Sequence, residues 1–237
     1  MRLDNYLVEH GFFESRNRAQ EAIKSALVRV DGKVVTKPSF KIDSNRVEVK
    51  EQKFYVSRAA KKLEEYLKEN PIDFKGKDLL DVGSSTGGFT QIVLEQGAKS
   101  VACVDVGKEQ LHKSLRSSSK VKVYEECDIR EFKSEPFDIV VSDVSFISLT
   151  KIIDSINTLT KESSQILLLF KPQFEVGKNA KRDSKGVVTN KLAIQEAQEQ
   201  FLAKTKELNW QLLDTRESRV SGKEGNVEIF YLFEKKS

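Results

Sequence analysis

The chain has 237 residues, 38% hydrophobic and 32% charged, with a formal net charge of +4 at pH 7, and this length suits one large or two modest domains with a sizeable core. Two histidines and two cysteines, Cys103 and Cys127, cannot build a metal centre at any familiar spacing, so no metal is predicted and the thiols are expected to be reduced. The chain start lacks an apolar signal segment. The longest aliphatic and aromatic run, residues 166–170, is far shorter than the roughly 18 residues of a membrane span. Both observations predict a cytoplasmic protein without a membrane partner.

The positive charge is concentrated in the first quarter of the chain. Residues 1–60 hold 12 Lys/Arg against 8 Asp/Glu, whereas residues 61–237 hold 28 of each. This asymmetry favours a polyanion-binding module attached to a neutral catalytic body. A solvated basic surface is the alternative.

The first quarter has the pattern of a small α+β module. A short amphipathic helix is predicted around Leu7, and Ser15 is a plausible N-cap for a second helix. The Asp31-Gly32 pair predicts a tight hairpin turn within residues 28–35. Residues 46–50 supply a further strand.

The order R-L-D-x-Y-L, S-R-x-x-A-x-x-x-I and V-x-V-D-G-K-V within residues 1–49 resembles the αL RNA-binding domain first described in small-subunit ribosomal protein four. In that family exposed basic residues of the second helix and the hairpin contact RNA phosphates. The resemblance implies this role for Arg16, Arg18, Lys24, Arg29 and Lys33, and Arg2 is a further candidate. The alternative is that several of these residues only solvate the helix.

After residue 56 the chain predicts an α/β fold. Residues 51–56 are expected to form a short linker or a strand end, and Ser57 to cap a helix over residues 58–68. Strands and helices then alternate, which predicts a doubly wound parallel sheet of the Rossmann-like type. The predicted strands cover residues 78–82, 101–106, 121–124, 138–144 and 165–171, and the predicted helices cover residues 90–96, 149–159 and 192–208. The last two strands, residues 210–215 and 227–233, should pair as an antiparallel edge.

Residues 79–90, L-L-D-V-G-S-S-T-G-G-F-T, predict a strand, a glycine-rich turn and a helix. Glycines allow a close approach of the backbone to a ligand, and the helix start offers free N–H groups. The spacing fits neither the dinucleotide fingerprint nor the P-loop, which disfavours an NAD-dependent oxidoreductase. Asp105 ends the next strand, where a carboxylate can accept both ribose hydroxyls of an adenosine, and Asp128 follows the third strand. Together they predict an S-adenosylmethionine site, whose candidate residues are Asp81, Gly83, Ser84, Gly87, Gly88, Phe89, Asp105, Asp128 and Asp143.

Charged residues also stand at the ends of later strands. Asp143 ends the fourth strand, on the edge where an open α/β sheet builds its site. Lys171 ends an apolar strand and is costly to bury without a partner, and Glu228 starts the last strand. These positions predict a paired polar site.

Five motifs resemble the TlyA (haemolysin A) family, whose catalytic domain is similar to the FtsJ-type ribose 2'-O-methyltransferases. They are S-R-x-x-x-K-L at 57–63, D-V-G-S-S-T-G-G-F-T at 81–90, S-D-V-S-F-I-S-L at 142–149, K-P-Q-F-E at 171–175 and G-N-x-E at 225–228. The resemblance spans essentially the whole chain and implies a catalytic set of Lys62, Asp143, Lys171 and Glu228. Ala59 stands where glycine is usual.

Transfer of a methyl group to a ribose hydroxyl needs the 2'-oxygen held in line with the sulfonium methyl. The hydroxyl proton must also be removed or its pKa lowered, because the neutral alcohol is a poor nucleophile. We assign Lys171 as the base or steering group and Asp143 as its orienter. Lys62 and Glu228 are expected to position the ribose and Lys171.

A basic loop over residues 173–189 is too long for a tight connection. It is expected to close over RNA, with Lys181 and Arg182 as contacts, and to be disordered without RNA; a plain solvated loop is the alternative. Arg58 is a further RNA-binding candidate.

The predicted domains are an RNA-binding αL domain over 1–50, a linker over 51–56 and a methyltransferase domain over 57–237. The predicted function is S-adenosylmethionine-dependent methylation of a cytidine ribose 2'-hydroxyl in the ribosomal RNA of a ribosomal subunit, with no DNA and no obligate protein partner. The chain ends nine residues after Glu228, which resembles the shorter family members and favours large-subunit (23S) over small-subunit (16S) RNA. The alternatives are a non-catalytic assembly factor that binds ribosomal RNA and a membrane-active haemolysin, which would need an amphipathic or spanning segment.

Overall fold

The computed structural model describes residues 1–43, 46–50 and 53–237 and divides into two compact units, Met1–Phe54 and Tyr55–Ser237. The end of the predicted linker belongs to the second unit, since Tyr55 and Val56 pack against its apolar core. The Val56 N–H also donates to Gln91 Oε1 at 2.9 Å. The first two linker positions, 51 and 52, lie outside the described residues. Within the described part of the chain, every helix is too short or too polar to cross a bilayer.

The first unit is a small α+β module. Its elements are α1 (Leu3–Glu9), α2 (Arg16–Lys24), β1 (Val28–Val30), β2 (Lys33–Val34) and β3 (Val47–Val49), with the antiparallel strand order β2-β1-β3. The Ser15 hydroxyl accepts from the Arg18 N–H at 3.4 Å, so the predicted N-cap is confirmed. The predicted hairpin is also confirmed, because Asp31 and Gly32 take φ of 51° and 77° between the paired strands β1 and β2.

The second unit is a three-layer α/β structure around a seven-stranded sheet. The strands are β4 (Asp78–Val82), β5 (Ser100–Val104), β6 (Val121–Tyr124), β7 (Phe137–Ser142), β8 (Thr160–Phe170), β9 (Trp210–Glu217) and β10 (Ile229–Lys235). The helices are α3 (Arg58–Glu69), α4 (Gly88–Glu95), α5 (Lys113–Arg116), α6 (Ile153–Thr158), α7 (Pro172–Glu175) and α8 (Lys191–Glu207). The strand order is β6-β5-β4-β7-β8-β10-β9, with β10 antiparallel to both of its neighbours.

The predicted doubly wound sheet with an antiparallel last strand is therefore confirmed. Apolar clusters cover both faces of the sheet, which explains why the central strands read as continuous apolar runs. In β8 the residues from Ile166 to Phe170 are all at most 1% exposed.

Several element boundaries differ from the prediction. The helix predicted over 149–159 is a 3₁₀ turn, Leu149–Lys151, followed by α6. Strands β5 and β7 end earlier than predicted, so Asp105 and Asp143 lie in the loops that follow them. Strand β10 begins at Ile229, which leaves Glu228 just before the strand. The short helices α5 and α7 were not predicted, because one turn carries too few residues to show helical periodicity.

Candidate active site

A cavity of about 330 Å³ lies at the carboxyl ends of the parallel strands, where an open α/β sheet binds its ligands. The predicted site residues that line it are Gly83, Asp105, Asp128 and Asp143. Residues that line it without having been predicted include Ser85, Val106, Gln110, Ser145 and Phe146. The sequence gives only one indication for these residues, which is that each lies within five residues of a predicted acidic or glycine position.

The glycine-rich turn is shaped by local packing. Gly83 takes a φ of 74°, and a Cβ at this position would lie 2.8 Å from Val144 Cγ1, so only glycine fits. The following Ser85 N–H donates to Asp105 Oδ2 at 2.8 Å, and the Gly107 N–H donates to Asp105 Oδ1 at 2.7 Å. Asp105 thus joins the two loops at the cavity mouth, and each carboxylate oxygen keeps a further lone pair for a ligand hydroxyl.

The other predicted members of the turn lie outside the cavity wall. Among the described residues, none of Ser84, Gly87, Gly88 and Phe89 lines the cavity. A Cβ on Gly88 would lie 2.3 Å from Ser57 Oγ and 2.7 Å from the Ala60 nitrogen, so this glycine lets α3 approach α4. Ser57 stands at the predicted N-cap position, but its hydroxyl makes no capping hydrogen bond within the described chain.

Phe89 is 2% exposed and stacks on Phe230 with ring centroids 6.2 Å apart. The prediction that this ring touches the cofactor is therefore not supported by its place in the core. Gly87 similarly faces the side chains of Leu111 and Leu115.

Asp81 lies beneath the turn and is 1% exposed. Its Oδ2 accepts from the Thr90 N–H at 3.0 Å and from the Thr90 hydroxyl at 2.6 Å, which ties β4 to α4. Its Oδ1 has no partner among the residues described. Burial raises the pKa of Asp81 to about 7; the Thr90 hydrogen bonds oppose this, and the nearby carboxylates Asp143 and Asp105 reinforce it.

Asp128 lines the cavity and binds its neighbour Arg130 through the guanidinium, with a shortest N–O distance of 2.5 Å. This ion pair lowers the pKa of Asp128. Sequence reasoning missed Glu125 at the end of β6, which accepts from the N–H groups of residues 109, 110 and 111 and from Arg116. Glu125 fixes the loop that carries Gln110, a cavity residue.

Two buried ion pairs lie at the same edge of the sheet. Lys171, 6% exposed, contacts Asp143 Oδ1 at 2.8 Å and donates to Ser145 Oγ at 2.8 Å. Lys62, 8% exposed, contacts Glu228 Oε2 at 2.6 Å. The four residues proposed from the sequence as a catalytic set are therefore arranged as two Lys–carboxylate pairs.

The strand register explains this arrangement. Ile229 pairs with Phe170 in the antiparallel β8–β10 ladder, so the next residues outward, Glu228 and Lys171, are neighbours. Pro172 starts α7 and directs the chain away from the sheet immediately after Lys171. The expectation that Glu228 positions Lys171 needs correction, since the Glu228 carboxylate binds Lys62 and lies 3.4 Å from the Gln173 amide.

The basic loop over 173–189 is folded. Arg182 donates to the backbone carbonyls of residues 173, 178 and 180, and the buried Asn226 side chain accepts from the Val188 N–H at 3.0 Å. These contacts favour an ordered loop, and the expectation that it closes over RNA stays a prediction. Arg182 holds the loop together, whereas Lys181 is exposed.

Comparison with known proteins identifies the family. Residues 55–235 match the FtsJ-like methyltransferase model. The chain belongs to the FtsJ-like methyltransferase family. Its residues 1–47 match the S4 domain.

The chain is 43% identical to the 23S rRNA (cytidine-2'-O)-methyltransferase TlyA of Campylobacter jejuni, over 98% of this chain and 99% of that protein. It is 36% identical to the 16S/23S rRNA (cytidine-2'-O)-methyltransferase TlyA of Mycobacterium tuberculosis, over 97% of this chain and 88% of that protein. A solved structure described as a hemolysin, from Streptococcus thermophilus, superposes with a TM-score of 0.73 at 31% identity, covering 100% of this chain and 89% of that one.

The family assignment confirms the predicted cofactor, S-adenosylmethionine, and the residues of the methyltransferase cavity fit it. Asp105 offers acceptors for a ribose diol, while Val106, an apolar cavity residue that is 71% exposed, offers a surface that a base can cover. A cavity of this size lies in the usual range for small-molecule sites. When bound, this cofactor supplies the electrophilic methyl group.

The S4 domain presents the predicted RNA-binding residues in two settings. Lys24, Arg29 and Lys33 are exposed, and Arg18 stacks on the Phe54 ring at 4.1 Å. Arg2 and Arg16 both bind the fully buried Asp4 carboxylate, at 2.9 and 3.0 Å, and hydrogen bonds from Arg2 hold the pKa of Asp4 well below its usual range. In the methyltransferase domain, Arg58 is exposed and donates to the Ser221 carbonyl at 2.8 Å.

The raised pKa of Asp81 predicts a pH dependence of stability. The pKa of Asp81 is 3.8 in the unfolded chain and about 7 in the folded protein. At a pH between these two pKa values, the folded protein keeps a proton on Asp81 that the unfolded chain has lost. Stability is therefore fully present below the unfolded pKa and falls as the pH rises towards 7, by a few kcal/mol. Asp81→Asn, whose amide oxygen can still accept from Thr90, is expected to flatten this dependence.

The measurement is urea unfolding at pH 5, 6, 7 and 8, followed by the fluorescence of the single, buried Trp210. Parallel pH curves for wild type and Asp81→Asn would show that Asp81 is ionised in the folded state.

Proposed function

We propose that this chain transfers the methyl group of S-adenosylmethionine to the 2'-hydroxyl of a cytidine in ribosomal RNA, and that it acts in the cytoplasm on a ribosomal subunit. The observation that carries the proposal is the double position of Asp143. This carboxylate lines the cofactor cavity and also binds Lys171, so the lysine lies beside the place where the methyl group is supplied. A protein that only binds RNA gains nothing from two buried lysine–carboxylate pairs, which are costly to desolvate.

Each site residue has a distinct part in the proposed reaction. The Lys171 ammonium, held by Asp143 and Ser145, steers the 2'-oxygen. The hydroxyl proton would pass to water as the oxygen–methyl bond forms and the sulfur–methyl bond of the cofactor breaks. Lys62 and Glu228 hold each other in a fixed geometry next to Gln173, where the ribose is positioned. The exposed basic residues of the S4 domain bind phosphates and bring the RNA to the site.

We further propose that the substrate is large-subunit RNA. The support is sequence identity, which is 43% to a relative named for 23S RNA and 36% to one named for both 16S and 23S RNA.

The test uses labelled S-adenosylmethionine with isolated large and small ribosomal subunits from a strain that lacks this gene. Label in the large subunit, mapped to a cytidine ribose and absent with Lys171→Ala, is the expected result. Label in the small subunit would contradict the choice of 23S RNA. Binding of RNA without transfer to either subunit would contradict the enzymatic proposal and favour a non-catalytic assembly factor.

A further inference from the structure

Two loops of the active site are joined at a point that the reaction itself does not use. The first loop, residues 143–149, follows β7 and carries Asp143 and Ser145, both partners of Lys171. The second begins at Lys171 and continues as the one-turn helix α7, which ends at Glu175. The position of Lys171 therefore depends on how the two loops are held together.

Glu175 makes that connection with both of its carboxylate oxygens. The Ser148 hydroxyl donates to Oε2 at 2.6 Å, and the Leu149 N–H donates to Oε1 at 2.9 Å. Ser148 in turn caps the 3₁₀ turn by accepting from the Thr150 N–H at 3.2 Å. The first loop is thus fixed at its beginning by Lys171 and at its end by Glu175.

The conformation between these two points needs such support. Phe146 has a φ of 66°, in the left-handed region that a bulky side chain disfavours by about 1–2 kcal/mol. Its ring lies 5.0 Å from that of Phe174, the residue before Glu175, and is otherwise 91% exposed. Without the link at Ser148 and Leu149, the loop can relax out of this conformation and take Ser145 with it.

Burying the Glu175 carboxylate costs free energy that packing alone does not repay. Burial raises the pKa of its carboxyl, the two hydrogen bonds oppose this, and among the described residues it has no ion-pair partner. Among the described residues, its hydrogen-bond partners are the two donors of the neighbouring loop, which accounts for an acceptor with two oxygens at this place.

We propose that Glu175 is a positioning residue for methyl transfer, holding residues 143–149 so that Asp143 and Ser145 keep the Lys171 amino group in place. This inference rests on the proposed function. Glu175 does not line the cofactor cavity, but residues 143–147 of the loop that it holds do, so Glu175 acts on Lys171 and on the cavity wall through this loop.

The test compares Glu175→Ala, Glu175→Gln and Ser148→Ala by single-turnover methylation at saturating cofactor and ribosomal subunits. Glu175→Ala is expected to lower the rate constant by about 100-fold, because a small displacement of a reacting group has effects of this size. The dissociation constant for S-adenosylhomocysteine, measured by calorimetry, should change by much less than the rate constant, because the rate depends on the placement of Lys171 as well as on the cavity wall. Glu175→Gln, which can accept from Leu149 and donate to Ser148, should restore most of the rate.

Ser148→Ala should lower the rate less than Glu175→Ala, and the double variant should be no slower than Glu175→Ala, because the two side chains act through one hydrogen bond. Glu162→Ala, an exposed glutamate of β8, is the matched control. Trp210 fluorescence reports folding; if Glu175→Ala does not fold, Glu175→Gln and Ser148→Ala carry the test with the same expected order.

A wild-type rate in Glu175→Ala would overturn the inference, as would parallel losses of rate and cofactor affinity that glutamine does not restore. In either case the wild type still transfers label and the proposed function stands. Absence of transfer by the wild type would overturn the proposed function and the inference with it.

Discussion

Lys171→Ala is expected to lower the rate of methyl transfer by about 10³-fold, within the range measured when a donor that stabilises the reacting oxygen is removed. The Lys171 amino group is held by Asp143 and Ser145, each at 2.8 Å, so it is fixed before the substrate arrives. Alanine removes the lysine that directly follows β8 at this edge of the sheet. Cofactor affinity should change little, since Lys171 does not line the cavity.

The experiment is single-turnover transfer of label, with S-adenosylhomocysteine binding measured in parallel. Lys161→Ala is the matched control, because it removes a lysine from β8, the strand that leads to Lys171, and its partner Asp138 lies 2.6 Å away at an exposed site. Asp143→Asn should also lower the rate, although it also alters the cavity wall. If Lys171→Ala retained more than a tenth of the wild-type rate, Lys171 would not be the group that acts on the 2'-oxygen.

Local pattern was enough to predict most of the sheet and the position of the site. Strand β6 and the Asp31-Gly32 hairpin were found where periodicity and turn chemistry predicted them, because both depend on near neighbours in sequence. Asp105 and Asp143 lie close together because parallel strands bring their carboxyl ends to one edge. Lys62 could be included only through the family resemblance, because it is one of several charged residues in its helix and the local pattern does not single it out.

What could not be predicted depends on contacts between distant parts of the chain. Lys62 and Glu228 are 166 residues apart, and their pairing needs both the β8–β10 register and the packing of α3. The sequence predicts that Gly88 lets the backbone approach a ligand, but its neighbours in the structure are Ser57 and Ala60 at the start of α3. Glu175 belongs to the K-P-Q-F-E motif, but the sequence predicts no role for it. Its two hydrogen-bond donors lie in a loop 26 and 27 residues earlier in the chain.

Breaking the buried ion pair of Lys62 and Glu228 should strongly destabilise the methyltransferase domain. Lys62→Met leaves the Glu228 carboxylate, 2% exposed, with the Gln173 amide at 3.4 Å as its one remaining partner among the described residues. An uncompensated buried charge of this kind costs about 3–5 kcal/mol. We therefore expect the midpoint of thermal unfolding to fall by about 10 °C, measured by Trp210 fluorescence.

Lys62→Met/Glu228→Leu separates stability from activity. It removes both charges and replaces them with apolar groups, so it should recover most of the stability lost in Lys62→Met, since exchanging a buried ion pair for packed apolar side chains is often neutral or stabilising. Methyl transfer should stay as low as in the single variant, because the polar groups proposed to position the ribose are gone. If the double variant regained both stability and transfer, the pair would serve the fold alone, and Lys62 and Glu228 would have no part in the reaction.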